Sequence, residues 1–142
     1  MAATDTIHVD IVSAEGEIFS GPAKMVFLPA AEGELGVAPR HAPLLALLKA
    51  GEVRVQPEEG DEQSFYVGGG ALEVQPTRVT VLADTAARAA DLDEAAALAA
   101  RARAEEALAG KIDKLEQAEA LAELARAAAQ LKLIERLRKI RG

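Results

Sequence analysis

His8 and His41 are the only imidazoles in this chain, and there is no cysteine to accompany them. A multi-histidine metal site is therefore excluded unless carboxylates complete it, while disulfides and thiolate sites are excluded outright. No metal motif is present. Ser13, Ser20 and Ser64 supply hydroxyls that a histidine could activate, yet none lies in a nucleophile elbow or a comparable setting. Gly68-Gly69-Gly70 has the composition of a phosphate loop, but no Lys-Ser or Lys-Thr follows and the next residues read as a strand. The triplet is expected to be a bend. Nothing in these residues points to catalysis by the chain on its own.

Two other places carry binding chemistry. His41 precedes Ala42-Pro43 in a loop rich in special backbone residues, where it is either a loop-capping hydrogen bonder or a contact residue. Beyond Leu131, the basic residues Lys132, Arg136, Arg138, Lys139 and Arg141 face a single acid, Glu135, with Leu133, Ile134, Leu137 and Ile140 between them. Such an end suits a final helical turn whose cations complement the helix dipole. It also suits docking onto an acidic partner, or a membrane-surface helix, although the stretch is short and lacks aromatic anchors.

The elements that position these residues divide near 85–90. Every Val, Pro, Phe and Tyr and nine of the eleven Gly precede residue 86, whereas 20 of the 32 Ala follow residue 85. Val favours pleated strands, Gly and Pro punctuate short ones, and Ala is the best helix former. In the first part Ile7, Val9 and Ile11 alternate with His8, Asp10 and Val12, the period of a half-buried strand. Further short strands are predicted over 17–20, 24–28, 34–37, 52–56, 62–67, 71–74 and 78–83, with a hairpin turn at Glu58-Glu59-Gly60-Asp61. Aromatics are only 3% of the chain, so the core must be aliphatic.

In the second part Asp91 and Glu94 form a capping arrangement that opens one helix, and Gly110 is expected to close it in a left-handed conformation. Asp113 and Glu116 repeat the spacing and open a second helix of about 25 residues, roughly 40 Å long. The facing positions are expected to be Ala95, Ala99, Ala102, Ala118, Ala122, Ala125 and Ala129. Leu98, Leu108, Leu115, Leu121, Leu124 and Leu131 are expected to supply the grip. The predicted fold is α+β: an antiparallel β-sandwich over 1–86, followed by an antiparallel two-helix hairpin over 87–142.

The formal charge of −7 opposes nucleic-acid binding, which draws on lysine and arginine to release phosphate counterions. It is unevenly spread: residues 1–85 carry 5 basic and 13 acidic side chains, whereas residues 86–142 carry 11 and 10. The first residues lack a basic-then-apolar leader pattern, and no apolar run approaches the roughly 20 residues that span a bilayer. A soluble, unexported protein without membrane insertion is expected. An unrelated sandwich adaptor with a helical docking arm, or a cryptic enzyme, are the other classes that composition admits.

Gly33-Glu34-Leu35-Gly36-Val37 followed by His41-Ala42-Pro43-Leu44-Leu45 resembles the signature of the epsilon subunits of F-type ATP synthases. In the same order come Val12-Ser13-Ala14-Glu15, Phe19-Ser20-Gly21, Gly69-Gly70 with Leu72-Glu73-Val74-Gln75-Pro76, and 79–86, so the resemblance covers essentially the whole chain. It implies a sandwich of about ten strands at the foot of a central stalk, a peripheral position on the cytoplasmic side of a bacterial inner membrane, and a non-catalytic role in coupling proton flow to ATP synthesis while restraining hydrolysis.

By the same resemblance Glu34 would meet the c-ring, and His41, Ala42, Pro43 and Leu44 the gamma subunit. Arg126, Lys132, Arg136, Arg138 and Lys139 would pair with acidic segments of the alpha and beta subunits when the hairpin extends. Some family members bind ATP through a Leu/Ile-Asp-x-x-Arg-Ala motif. Here Leu92-Asp93-Glu94-Ala95 is followed by Ala96 in place of arginine, so Asp93, Arg103 and Arg126 remain but ATP binding is expected to be weak or absent, and no other cofactor is expected. Arg40, where glycine is frequent in the family, is a smaller departure.

Overall fold

In the computed structural model, which describes residues 5–141, the period-two run becomes strand β1 (Ile7–Ser13). Ile7, Val9 and Ile11 are fully buried, whereas His8 and Asp10 on the opposite face are half-buried. The chain continues through β2 (Gly16–Ala23), β3 (Met25–Ala30), β4 (Gly33–Val37), β5 (Leu44–Gln56), β6 (Gln63–Val74), β7 (Arg78–Ala83) and β8 (Ala86–Arg88). These form one sheet in the order β2-β1-β7-β6-β5-β3-β4, with β8 on β6. Two compact units result, 1–88 and 89–142.

Two features of the sheet correct the sequence expectation. It has eight strands among the described residues instead of about ten, and it is mixed: β1 and β7 run parallel, from His8 beside Arg78 to Val12 beside Leu82. Parallel neighbours need a long connection, and the whole of β2–β6 supplies it. One strand of the difference in count comes from the glycine triplet, which bends the chain without ending the strand, so that the runs predicted over 62–67 and 71–74 are a single strand, β6. Gly68 pairs with Ala50 and Gly70 with Leu48 inside a continuous β5–β6 ladder.

At the triplet β6 changes its second partner. Phe65–Val67 pair with β8, and Gly70–Val74 pair with β7. Gly70 sits at φ 135°, and a Cβ there would overlap the Leu82 carbonyl oxygen and stand 2.9 Å from Ala83 Cα. Only glycine allows β7 to close this tightly.

The sheet encloses a largely aliphatic core in which Ile7, Ile11, Leu28, Leu72 and ten or so valines and small residues pack with Phe65, and Tyr66 is buried beside it in the chain. Phe19 packs tilted against Phe65, ring centroids 5.2 Å apart. Each such aliphatic side chain contributes roughly 1.5–3 kcal/mol on full burial. The predicted turn at Gly60 is present, joining β5 to β6.

The second unit holds a 3₁₀ turn (Ala89–Asp91), α1 (Glu94–Ala109) and α2 (Lys114–Arg141). Asp93, not Asp91, caps α1: its carboxylate accepts from the Ala96 N–H at 3.1 Å, because Asp91 is drawn into the 3₁₀ turn. Asp113 caps α2 as expected, accepting from the Glu116 N–H at 2.8 Å. Gly110 is extended (φ −91°, ψ −179°) instead of left-handed, and its N–H donates to the Ala107 carbonyl.

The buried helical positions also differ from expectation. Ala97 and Ala104 of α1, and Ala120, Ala127 and Leu133 of α2, are buried, whereas Ala95, Ala99, Ala102, Ala118, Ala122 and Ala125 are exposed and Ala129 is half-buried. Leu98, Leu115 and Leu121 are exposed as well, leaving Leu108, Leu124 and Leu131 half-buried. Seven-residue spacing within each helix, 97 to 104 and 120 to 127, explains the choice. It keeps the small residues in one line along a helix pair, a register that alanine-rich composition cannot disclose. Arg103 to Glu123 (3.2 Å) and Arg138 to Glu94 bridge the antiparallel pair.

Candidate functional site

The β3–β4 turn is built on Gly33, at φ 141°, and presents Glu34 as the first side chain after it. Glu34 pairs with Pro29 across the hairpin and is more than half exposed. Its carboxylate is not alone. Arg54 Nη2 donates to both Glu34 oxygens, at 3.2 and 3.3 Å, while Nη1 reaches Glu62 Oε2 at 3.5 Å. The guanidinium lies over the Phe27 ring, 4.4 Å from its centroid, and Gln56 Nε2 donates to the same Glu62 oxygen at 3.1 Å. Arg54 belongs to no motif and was not singled out from sequence; its place opposite Phe27 in the β3–β5 register could have been found only with the pairing known.

The loop between β4 and β5 holds Arg40 and His41. Arg40 is the one non-glycine residue with positive φ among the described residues, at 64°, and its N–H donates to the Pro76 carbonyl at 2.8 Å. Its guanidinium forks onto Asp5, at 2.7 and 3.2 Å. His41 Nδ1–H donates to the Ala42 carbonyl at 2.7 Å, so the loop-capping role is realised in this structure. Ala42, Pro43 and Leu44 are exposed. Next to them Leu45 and Leu47 are 76% and 69% exposed, two large apolar side chains on the outer face of β5.

The β3–β4 turn and the start of β5 are physically continuous: the Ala31 N–H donates to the Leu47 carbonyl at 2.8 Å, and a shallow groove runs between Glu32–Leu35 and Leu44–Leu47. Glu34 and the exposed leucines therefore occupy one rim of the sandwich. Leu45 and Leu47 were missed in the sequence as contact residues, although a run of Leu with no polar alternation was the available signal.

The arrangement that comes nearest to catalytic chemistry is on the β2-β1-β7 face. His8 Nε2 lies 3.0 Å from both Asp10 Oδ1 and Ser20 Oγ, and the Ser20 hydroxyl donates to Asp10 at 2.7 Å. In a Ser-His-Asp relay the two partners occupy different ring nitrogens. Here one nitrogen faces both, the hydroxyl proton goes to the carboxylate, and Arg78 neutralises the other Asp10 oxygen. Desolvation pushes the Asp10 carboxyl up, but hydrogen bonds from Ser20 and His8 and the charges of His8 and Arg78 outweigh it and hold it below the usual carboxylate range. This is a polar clasp across three strands. Among the described residues no group of three or more His, Asp or Glu side chains is arranged to hold a metal.

On the hairpin, three of the five basic residues expected to meet the alpha and beta subunits are engaged within the chain. Arg138 pairs with Glu94 of α1, Lys139 with Glu135 at 3.4 Å, and Arg136 is also engaged. Lys132 is exposed and Arg126 half-buried. Of the residues expected at a nucleotide, Asp93 is the α1 cap and Arg103 is held by Glu123.

Residues 6–89 match the family described as "ATP synthase, Delta/Epsilon chain, beta-sandwich domain", and residues 90–135 match its "long alpha-helix domain". This chain belongs to the ATP synthase delta/epsilon chain family. It is 66% identical over 137 residues to an ATP synthase epsilon chain of Nitrosococcus oceani, covering 96% of this chain and 98% of that one. An epsilon chain of Alkalilimnicola ehrlichii is 63% identical, with coverages of 94% and 96%. In fold it resembles a chain of the Euglena gracilis mitochondrial ATP synthase, with TM-score 0.70, 19% identity and coverages of 100% and 85%. A chain in the central stalk and c-ring structure of the Tetrahymena thermophila enzyme gives TM-score 0.66 at 12% identity, covering 94% and 99%.

As an epsilon-type ATP synthase subunit the chain is a non-catalytic part of a larger enzyme, and the clasp at His8, Asp10 and Ser20 is consistent with that. Among the described residues no helix of this epsilon-type chain is long and apolar enough to cross a membrane.

Proposed function

We propose that the chain turns with the rotor of an F-type ATP synthase, its sandwich rim docked on the gamma subunit and the c-ring and its hairpin regulating hydrolysis. The observation that carries this reading is the joining, on one rim, of an exposed carboxylate and exposed leucines. Glu34 suits the cationic polar loops of a c-ring, while His41, Ala42, Pro43 and Leu44, extended by Leu45 and Leu47, suit a partly apolar protein surface such as gamma. The subunit then lies peripherally on the cytoplasmic side of a bacterial inner membrane, held by its partners.

The hairpin supports a regulatory role because its buried line is alanine at four positions, with Leu133 the one large side chain, and alanine removes little area from water and is readily given up. Once α2 leaves α1, Arg138 loses Glu94 and becomes available, with Arg126, Lys132, Arg136 and Lys139, to acidic segments of the alpha and beta subunits. Nucleotide binding to the folded hairpin is weak or absent in this reading: Ala96 replaces the motif arginine, and Asp93 and Arg103 already have partners.

The test is ATP hydrolysis by a synthase depleted of this subunit, with either the full chain or a chain ending at Arg88 added back, the cut keeping β8 in its sheet. Suppression by the full chain, with the shortened chain binding but not suppressing, is expected. Failure of both to bind rejects the reading. Equal suppression by both rejects the hairpin as inhibitor.

A further inference from the structure

Resting on the Glu34 contact proposed above, we infer that Arg54 is the positioning residue that fixes the Glu34 carboxylate in the orientation its cationic partner meets. Arg54 projects from β5 beside Phe27 of β3, which is in turn beside Gly36 of β4, so its guanidinium crosses one strand to reach the β4 carboxylate. Three independent contacts hold it: the Phe27 ring beneath it at 4.4 Å, Glu62 on one terminal nitrogen, and Glu34 on the other. Gly36 is part of the same construction. A Cβ there would stand 3.2 Å from the Phe27 ring and 2.9 Å from the Met25 methyl, so the glycine leaves room for the ring against β4.

The consequences for Glu34 are geometric and electrostatic. One Nη2 spans both carboxylate oxygens, which leaves the remaining lone pairs of each directed away from Arg54. Glu34 remains 58% exposed while Arg54 is only 25% exposed, so the acid is presented and the arginine is its support. Two carboxylates, Glu34 and Glu62, share one guanidinium, so the cluster carries a net charge of −1. It accepts one lysine or arginine side chain and becomes neutral. Without Arg54 the exposed Glu34 side chain has no partner among the described residues to hold its rotamer, and the ring must order it on binding.

Arginine and lysine separate positioning from charge. Arg54→Lys keeps the cation but loses the two separate terminal nitrogens that reach Glu34 and Glu62 at once, and the plane that stacks on Phe27. The measurement is the affinity of the full chain for the depleted synthase with its ring, relative to its affinity for the soluble catalytic head with gamma and no ring. The ratio isolates the ring contact. Arg54→Lys is expected to lower that ratio about three- to tenfold, to leave binding to the ring-free head unchanged, and to have no further effect in a chain already carrying Glu34→Ala. Thermal unfolding of each variant checks that the sandwich is intact.

A loss that is the same with and without Glu34, or no loss when Glu34→Ala itself lowers the ratio, overturns the role of Arg54 alone. No effect of Glu34→Ala on the ratio overturns the ring contact and this inference with it. In the isolated chain, slowed rotation of the Arg54 guanidinium in nitrogen-15 spectra, abolished by Glu34→Ala, is the expected signature. Its absence also overturns the assignment.

Discussion

At Arg40 a backbone effect and a side-chain effect oppose one another. A left-handed conformation costs a non-glycine residue roughly 1–2 kcal/mol. The fork onto Asp5 offsets part of that, but both side chains are mostly exposed, 77% and 60%, and such pairs contribute roughly 0–1 kcal/mol. Arg40→Ala removes the pair and keeps the strain, whereas Arg40→Gly removes both. Urea unfolding is expected to find the alanine variant less stable than the glycine variant by about 1 kcal/mol. Asp10 gives a second prediction at this scale. Its carboxyl is held below the usual range in the folded state, so its stabilising effect is present above its ordinary value near 3.8 and is lost as pH falls through the lowered one. Asp10→Asn should therefore be less stable than the natural chain at neutral pH, with the difference shrinking in acid, as unfolding curves between pH 7 and 3 would record.

Among the elements, β6 depends most on a single atom's absence. Gly70→Ala adds a methyl group into the Leu82 carbonyl and forces positive φ on alanine, a combination of overlap and strain worth several kcal/mol. The variant is expected to unfold the sandwich or lower its midpoint by 10 °C or more (about 4–8 °C per kcal/mol for a domain of this size) in a thermal scan followed by the signal of Tyr66. The triplet also shows how far sequence reading reaches. Alternation at Ile7, Val9 and Ile11 revealed β1 and its buried face, and turn chemistry revealed Gly60, because both are local. Whether Gly68–Gly70 ends a strand or bends one depends on β5, β7 and β8 lying alongside, which no local pattern encodes. The same limit hid Arg54, whose partners come from β3, β4 and the turn before β6. Glu34 and His41 could be singled out as candidates because a contiguous motif carried them. The alanine line at 97, 104, 120 and 127 was not, since 20 alanines offer many equivalent stripes.

The whole molecule joins two units stabilised in different ways, a valine-rich sandwich and an alanine-seamed hairpin. Denaturation is expected not to be two-state. Helical circular dichroism should be lost at lower urea than the signal of Tyr66, which is the only tyrosine in a chain without tryptophan and lies buried in β6. Coincident transitions would show that the two units melt as one. In the sandwich the longest continuous pairing is between β5 and β6, from Leu44 beside Val74 to Val55 beside Gln63. Its mechanical behaviour depends on direction. A pull across the strands opens such a ladder one rung at a time, like a zipper, whereas a pull along them loads every rung together. Force entering β5 at Leu44 and leaving β6 at Gln63, the far end of its neighbour, runs along the ladder and loads its rungs together, so the rim is anchored in the direction in which this pairing resists most.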